Sequence, residues 1–220
     1  YTSDPDNPLQ GQVWYNETAN TLKYKYQSTA TAWSTGGNLN VTRSFSAGAG
    51  TQTAALAIGT GSSPSAVTEA YNGTSWTAVN ALNTGRYGLA AAGTQTAALA
   101  FGGQTPTKVA NTETWNGTNW TEVNDLNTAR YALGGAGVSN TSALGFGGYT
   151  PSGASGVTES WNGTAWTEVN DLNIFRYYVG GAGTQTAALA FGSQPASTAT
   201  EEFSENTPTA NTWSTANALN

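Results

Sequence analysis

Apolar positions along this chain fall in short runs separated by Gly, Asn, Thr and Pro. No window carries a stripe recurring every three to four residues, so the pattern predicts β-strands throughout and no helix. Residues 96–102 (TAALAFG) and 130–136 (RYALGGA) are small or apolar runs bounded by turn residues, as strands buried on both faces are. Between them, a Gly/Pro/Thr-rich loop spans 103–110, residues 111–115 (NTETW) alternate, and 119–123 (NWTEV) form a further strand. Asn116-Gly117 joins the last two. Asn-Gly between strand-like runs predicts a hairpin closed by a type I′ turn, with positive φ at both positions.

This unit recurs. The phrase G-T-Q-T-A-A-L-A occupies 50–57, 93–100 and 183–190, with a looser copy at 137–145 (GVSNTSALG). N-G-T-x-W-T occupies 72–77, 116–121 and 162–167, and L-N-x-x-R ends at Arg43, Arg86, Arg130 and Arg176, at spacings of 43, 44 and 46 residues. A partial copy runs from Thr212-Trp213-Ser214-Thr215 to Leu219-Asn220. A period in the mid-forties with four strands per unit is the pattern of propeller blades. Composition grades as such packing requires. The first strands (SFSAGAG, YGLAAAG, YALGGAG, YYVGGAG) are rich in Gly and Ala, as strands crowded around an axis must be. The third and fourth carry Trp115, Trp120, Trp161 and Trp166, which fill the widening space between blades.

Four full blades start at residues 43, 86, 130 and 176, and the N-terminal stretch supplies three more strands, 11–16, 21–27 and 32–35. The expectation is an all-β propeller of about five four-stranded blades (11–42, 43–85, 86–129, 130–175 and 176–220), preceded by a Pro-containing linker, 1–10. The first blade lacks its inner strand. An unpaired inner edge invites pairing, so that strand is expected from sequence beyond Asn220, from residues 1–9, or from a neighbouring copy.

The repeats resemble those of the Kelch family of propellers, recognised by Gly-Gly after the second strand, an aromatic pair around the third and fourth, and an Arg opening the next blade. Gly102-Gly103 and Gly147-Gly148 match, whereas Gly59-Thr60 and Gly192-Ser193 depart. Tyr71/Trp76, Trp115/Trp120 and Trp161/Trp166 fit the pair, with Trp replacing Tyr in two blades. The resemblance covers residues 30–220 and implies a fold more than a function. A second resemblance, at Gly11-Gln12-Val13-Trp14-Tyr15-Asn16, is to the G-x-[IV]-W-Y-N hairpin of tailed-phage fibre and virion proteins. Ala/Gly/Thr-rich Kelch-like arrays are likewise similar to those of marine phage structural proteins. These likenesses imply a virion or extracellular location.

Composition narrows the chemistry. With no Cys, His or Met, the chain has no thiolate or imidazole ligand or nucleophile, and no cofactor or metal is expected. That absence excludes galactose-oxidase-like copper chemistry. Net charge −6 excludes nucleic acid as an electrostatic partner, and no apolar run approaches the roughly 18 residues that would span a bilayer. The chain begins at Tyr1 with no signal peptide, which reads as a portion of something longer. Asp4, Asp6 and Asn7 lack the later ligands of a calcium loop and read as linker.

Two columns of charge stand out. Arg43, Arg86, Arg130 and Arg176 share one repeat position, and Glu69, Glu113, Glu159 and Glu201 another. Repetition predicts structural ion pairs, since a partly buried ion needs a partner. An arginine cluster gripping carboxylates, as in sialidase propellers, is the functional alternative, but catalytic groups break repeat symmetry and these obey it.

Topology then separates two faces. Loops joining strands 1–2 and 3–4 repeat almost identically (G-T-Q-T, N-G-T). Loops joining strands 2–3 (59–66, 102–111, 147–156, 192–199) and the blade junctions differ from copy to copy. Recognition sits on variable loops held by a rigid scaffold, so Lys108, Tyr149, Phe175 and Tyr178 are the candidate ligand-binding residues. The expected function is a non-enzymatic virion module, a tail-fibre or receptor-binding propeller that recognises a cell-surface glycan or protein. The alternative is a purely structural assembly or decoration element contacting neighbouring virion proteins or forming a homo-oligomer.

Overall fold

A computed structural model of the chain describes residues 2–5, 11–25, 32–61, 64–205 and 212–215. The chain divides into two compact units, 1–35 and 36–220, so the division falls inside the span expected for the first blade. Leu219-Asn220, most of the 1–10 linker and the end of the 21–27 strand lie outside the described residues.

The first unit holds a two-stranded antiparallel sheet, β1 (Val13–Asn16) and β2 (Thr21–Tyr24). Residues 32–35, expected as a further strand, carry none. One face of this hairpin is exposed and apolar: Val13 pairs with Tyr24 and Tyr15 with Leu22. On the other face Asp4 is a clip. Its Oδ1 accepts from Trp14 Nε1 (3.0 Å) and Asn16 Nδ2 (2.7 Å), and its Oδ2 from Lys23 Nζ (2.7 Å).

The second unit is all-β, built from four four-stranded antiparallel sheets in which consecutive strands pair. Sheet 1 is β3 (Ala47–Thr51), β4 (Ala54–Thr60), β5 (Ser65–Tyr71) and β6 (Trp76–Val79). Sheet 2 is β7 (Ala90–Gly93), β8 (Ala98–Phe101), β9 (Thr112–Trp115) and β10 (Trp120–Val123). Sheet 3 is β11 (Gly134–Ser139), β12 (Ser142–Phe146), β15 (Thr158–Trp161) and β16 (Trp166–Val169), with a small hairpin, β13 (Tyr149–Thr150) and β14 (Gly153–Ala154), inserted in its variable loop. Sheet 4 is β17 (Gly180–Gly183), β18 (Ala187–Phe191), β19 (Thr200–Ser204) and β20 (Thr212–Thr215). No helix occurs among the described residues.

The sheets pack face to face, and their first strands run side by side in the order β3, β7, β11, β17. Small residues there are a steric necessity. A Cβ on Gly181 of β17 would stand 2.5 Å from the Gly135 carbonyl oxygen of β11. Larger side chains fill the space further out. Leu56 and Ile58 of sheet 1 pack against Trp115 and Trp120 of sheet 2, and Leu99 and Phe101 of sheet 2 against Trp161 and Trp166 of sheet 3. The fourth-strand indoles of sheets 2 and 3 also donate backwards, Trp120 Nε1 to Thr68 Oγ1 (3.2 Å) and Trp166 Nε1 to Thr112 Oγ1 (3.0 Å).

The turns on the repeated face depart from expectation in one respect. Trp115 pairs directly with Trp120, leaving a four-residue loop rather than a two-residue type I′ turn. Only the glycine has positive φ (91° at Gly117), because the Asn116 side chain closes the loop itself: its Oδ1 accepts the N–H of Thr118 and Asn119 at 2.9 and 2.8 Å. Asn72 and Asn162 repeat this. The G-T-Q-T turns are fastened to the preceding sheet. Gln95 Nε2 donates to Tyr71 O (2.5 Å) and Gln185 Nε2 to Trp161 O (2.5 Å), and Asn140 takes the same place in sheet 3 with Thr114 Oγ1 (2.9 Å).

Candidate functional site

The L-N-x-x-R phrases ending at Arg86, Arg130 and Arg176 cross from one sheet to the next, the one ending at Arg43 leads into sheet 1, and each delivers its Arg under a variable loop. The structure places every one of the four Arg against one Glu: Arg43–Glu69 (2.8 Å), Arg86–Glu113 (3.1 Å), Arg130–Glu159 (3.1 Å) and Arg176–Glu201 (2.9 Å). These side chains are at most 2% exposed. A buried carboxylate needs more than one counter-charge to offset lost solvation, and the Asn of the same phrase supplies the remainder. Oε2 of Glu159 accepts both N and Nδ2 of Asn127 (2.7 and 2.8 Å), while Oε1 accepts the Thr128 N–H (3.3 Å) and Arg130. Asn40, Asn83 and Asn173 do the same in their repeats. The signal for Asn was in the sequence, as the invariant second letter of the phrase.

The electrostatics follow from that enclosure. Burial pushes the Glu69 carboxyl up, but hydrogen bonds from Arg43 and Asn40, with the Arg43 charge, outweigh it and hold the group below its usual value. Burial lowers Arg86, Arg130 and Arg176, opposed in each case by the paired Glu. Arg130 also donates Nη1 to the Gly147 carbonyl (3.0 Å) and to that of Val157, and so ties the variable loop of sheet 3 down to its clamp. Each Glu carboxylate is engaged by its Arg and Asn, while Nε of Arg86, Arg130 and Arg176 and Nη1 of Arg86 are buried without a hydrogen-bond acceptor.

Immediately after each Arg the chain changes character. The residues two positions on, Phe45, Gly88, Ala132 and Tyr178, all adopt left-handed φ of 53° to 59°. That turn lines up their backbones in a chain of hydrogen bonds, Tyr178 N to Ala132 O (2.7 Å), Ala132 N to Gly88 O (2.7 Å) and Gly88 N to Phe45 O (2.8 Å). Left-handed φ is costly for a ring-bearing residue, of order 1–3 kcal/mol, and here it swings the rings onto the divergent face.

There they meet the residues at the Arg+1 position. Tyr131 contacts Tyr87 (6.5 Å between ring centroids), Tyr149 (5.9 Å) and Tyr178 (6.1 Å). Tyr178 stacks on Phe45 (5.8 Å, 30° between planes). Tyr177 sits edge-on to Tyr149 (4.9 Å). Lys108, from the variable loop of sheet 2, holds its Nζ 5.1 Å from the Tyr149 centroid and 5.8 Å from that of Tyr131. Thus Lys108, Tyr149 and Tyr178 come together with Phe45, Tyr87, Tyr131 and Tyr177. Phe175 is exposed but stands apart, against Gly156.

Phe45 and Tyr178 are 53% and 42% exposed, and beside them opens a cavity of ≈ 300 Å³ floored by Leu89, Leu133 and Val179. A further cavity of ≈ 600 Å³ is lined by the Gly/Ala first strands of all four sheets. Burial, then the neighbouring Tyr178, raises the Tyr131 phenol to about 12, so it remains a protonated donor. Apolar ring faces, phenolic hydroxyls and one ammonium lie together here, groups whose chemistry is stacking and hydrogen bonding. Among the described residues no group of Asp or Glu is placed to hold a metal ion.

Phe45, Tyr87, Tyr131 and Tyr177 are not among the residues the sequence points to, since their meeting depends on how the sheets pack. No protein-family model matches the chain, and no curated protein matches it in sequence.

Proposed function

We propose that this chain is a non-enzymatic recognition module: a Kelch-like propeller on a phage virion, in a tail fibre or receptor-binding protein, that holds a cell-surface glycan or protein on its divergent loop face. The observation that carries this reading is the contiguous aromatic patch of Phe45, Tyr87, Tyr131, Tyr149, Tyr177 and Tyr178. It lies on the face where the repeats diverge, next to turns whose geometry no ligand needs to explain. Exposed rings clustered on a rigid frame mark binding surfaces, and the neutral, hydroxyl-rich surroundings suit a sugar. The propeller and virion assignments rest on the repeat period, the blade-opening Arg and the G-x-V-W-Y-N hairpin. The test is a glycan array and host-cell binding assay with the whole chain. Tyr149→Ala and Tyr178→Ala are each expected to weaken binding at least about tenfold, and binding unchanged in both would refute the site.

A second reading, an assembly element that self-associates, is favoured by sheet 4. Leu189 and Phe191 on β18 are only half-buried, whereas their counterparts Leu144 and Phe146 on β12 are fully covered. Light scattering across concentration tests it: growth in mass with concentration, lost on Phe191→Ser, is its expected signature.

A further inference from the structure

Among the described residues of 36–220, four of the five cations are committed. Arg43, Arg86, Arg130 and Arg176 lie buried on their Glu partners, and only Lys108 has no carboxylate within ion-pair distance. This is notable in a chain of 13 acids and seven bases, where acidic side chains are plentiful. The aspartates of the blade junctions, Asp125 and Asp171, accept backbone N–H bonds from Thr112 and Thr158 (3.0 Å each). Lys108 is also held in place. Its loop is pinned by Val109 N to Gly103 O (2.9 Å) and by pairing of Gln104 with Lys108, and its ammonium rests over two tyrosine rings.

An ammonium seated on ring faces has spent none of its three N–H donors on an acceptor. Close by, the Tyr177 hydroxyl donates to Gln194 Oε1 (3.3 Å) and keeps its acceptor lone pairs, and Tyr178 with Phe45 presents a broad apolar ring surface. A pyranose lays its C–H face on such a surface and its hydroxyls against phenols. What the lone cation adds is a preference for a sugar that also carries an anion.

We infer that the aromatic patch selects acidic sugars, the carboxylate of a uronic-acid residue pairing with Lys108 Nζ while its ring stacks on Tyr149 or Tyr178. This rests on the glycan reading of the same face and sharpens it to a ligand class. The chain's net negative charge offers an acidic polymer no long-range attraction, so selectivity falls on this one contact. It is expected to be worth about tenfold, as one charge-assisted hydrogen bond is.

The experiment is calorimetric titration of the whole chain with matched neutral and acidic oligosaccharides of equal length: galactan against polygalacturonate, and mannan against polymannuronate. Wild type, Lys108→Gln and Tyr149→Ala are compared, with denaturation midpoints recorded to establish that each variant is folded. The expected result is that at least one acidic member binds about tenfold more tightly than its neutral match. Lys108→Gln removes that difference without weakening the neutral sugar, and Tyr149→Ala weakens both. Equal binding of acid and neutral sugars, or a preference that survives Lys108→Gln, overturns the acidic selectivity and leaves glycan recognition standing. Absence of binding to any of the four overturns both.

Discussion

Arg130 and Tyr131 are neighbours in the chain, yet one is fully buried and the same in all four repeats while the other, half-buried and shared by three of them, begins a surface whose next residue differs in each. The Arg fits into a site whose acceptors were fixed in advance: a Glu on the third strand, the carbonyls of the variable loop, and an Asn that completes the Glu. A buried charge tolerates no substitute, because every partner left behind would be stranded without water. One or two residues later the surroundings open to solvent: the next position is Tyr in three repeats (Tyr87, Tyr131, Tyr177) and Ser44 in the first, and the one after it (Phe45, Gly88, Ala132, Tyr178) differs in every repeat while keeping the left-handed turn. Repetition therefore marks the buried frame, and it lapses where the chain meets solvent.

The sharpest way to break that contrast is to strand a charge. Glu159→Ala leaves Arg130 buried and unpaired, and it is expected to cost about 3–5 kcal/mol, read as a lower denaturant midpoint or failure to fold. A smaller loss should follow Asn127→Ala, which removes the Nδ2 bonds to Glu159 Oε2 and to the Trp166 carbonyl and keeps the backbone N–H bond and the ion pair. About 1.5–3 kcal/mol is expected, and a loss as large as that of Glu159→Ala would mean the Arg contributes little by itself. On the exposed side, Tyr149→Ala forfeits ring contacts with Tyr131 and Tyr177 worth about 1 kcal/mol, so thermal unfolding should move little while ligand binding falls at least tenfold.

The mildest test sets an exposed carboxylate beside the buried ones. Asp4 is held at about 2 by hydrogen bonds from Lys23, Asn16 and Trp14, below its ordinary 3.8. A lowered folded-state value means the clip is fully present above that ordinary value and is lost as pH falls through about 2. The Trp14 indole N–H resonance should shift across that window with the hairpin alone responding. Protonation of Glu69, also held low, should by contrast be accompanied by cooperative unfolding of sheet 1.

Much of this was legible in the residues. The strand runs, the four-strand unit and the junction phrase carry the all-β architecture, because alternation, turn chemistry and small inner strands are local requirements. The type I′ expectation at Asn116-Gly117 failed for a reason just as local: an Asn side chain can cap a four-residue loop and spare its own backbone a positive φ. The expected strand at 32–35 failed for a different reason, since a strand needs a partner and no pattern along the chain states which one it will find.

Lys108 and Tyr149 were recognisable as residues of variable loops, but nothing in their positions said they would meet each other, nor that Phe175 would stand aside. Periodicity and side-chain chemistry settle which segments extend, where charge must be neutralised and which loops are free to differ. Which rings touch across sheets, from different repeats of the chain, is decided only when the first strands pack at backbone distance and the left-handed turns set the direction of their side chains.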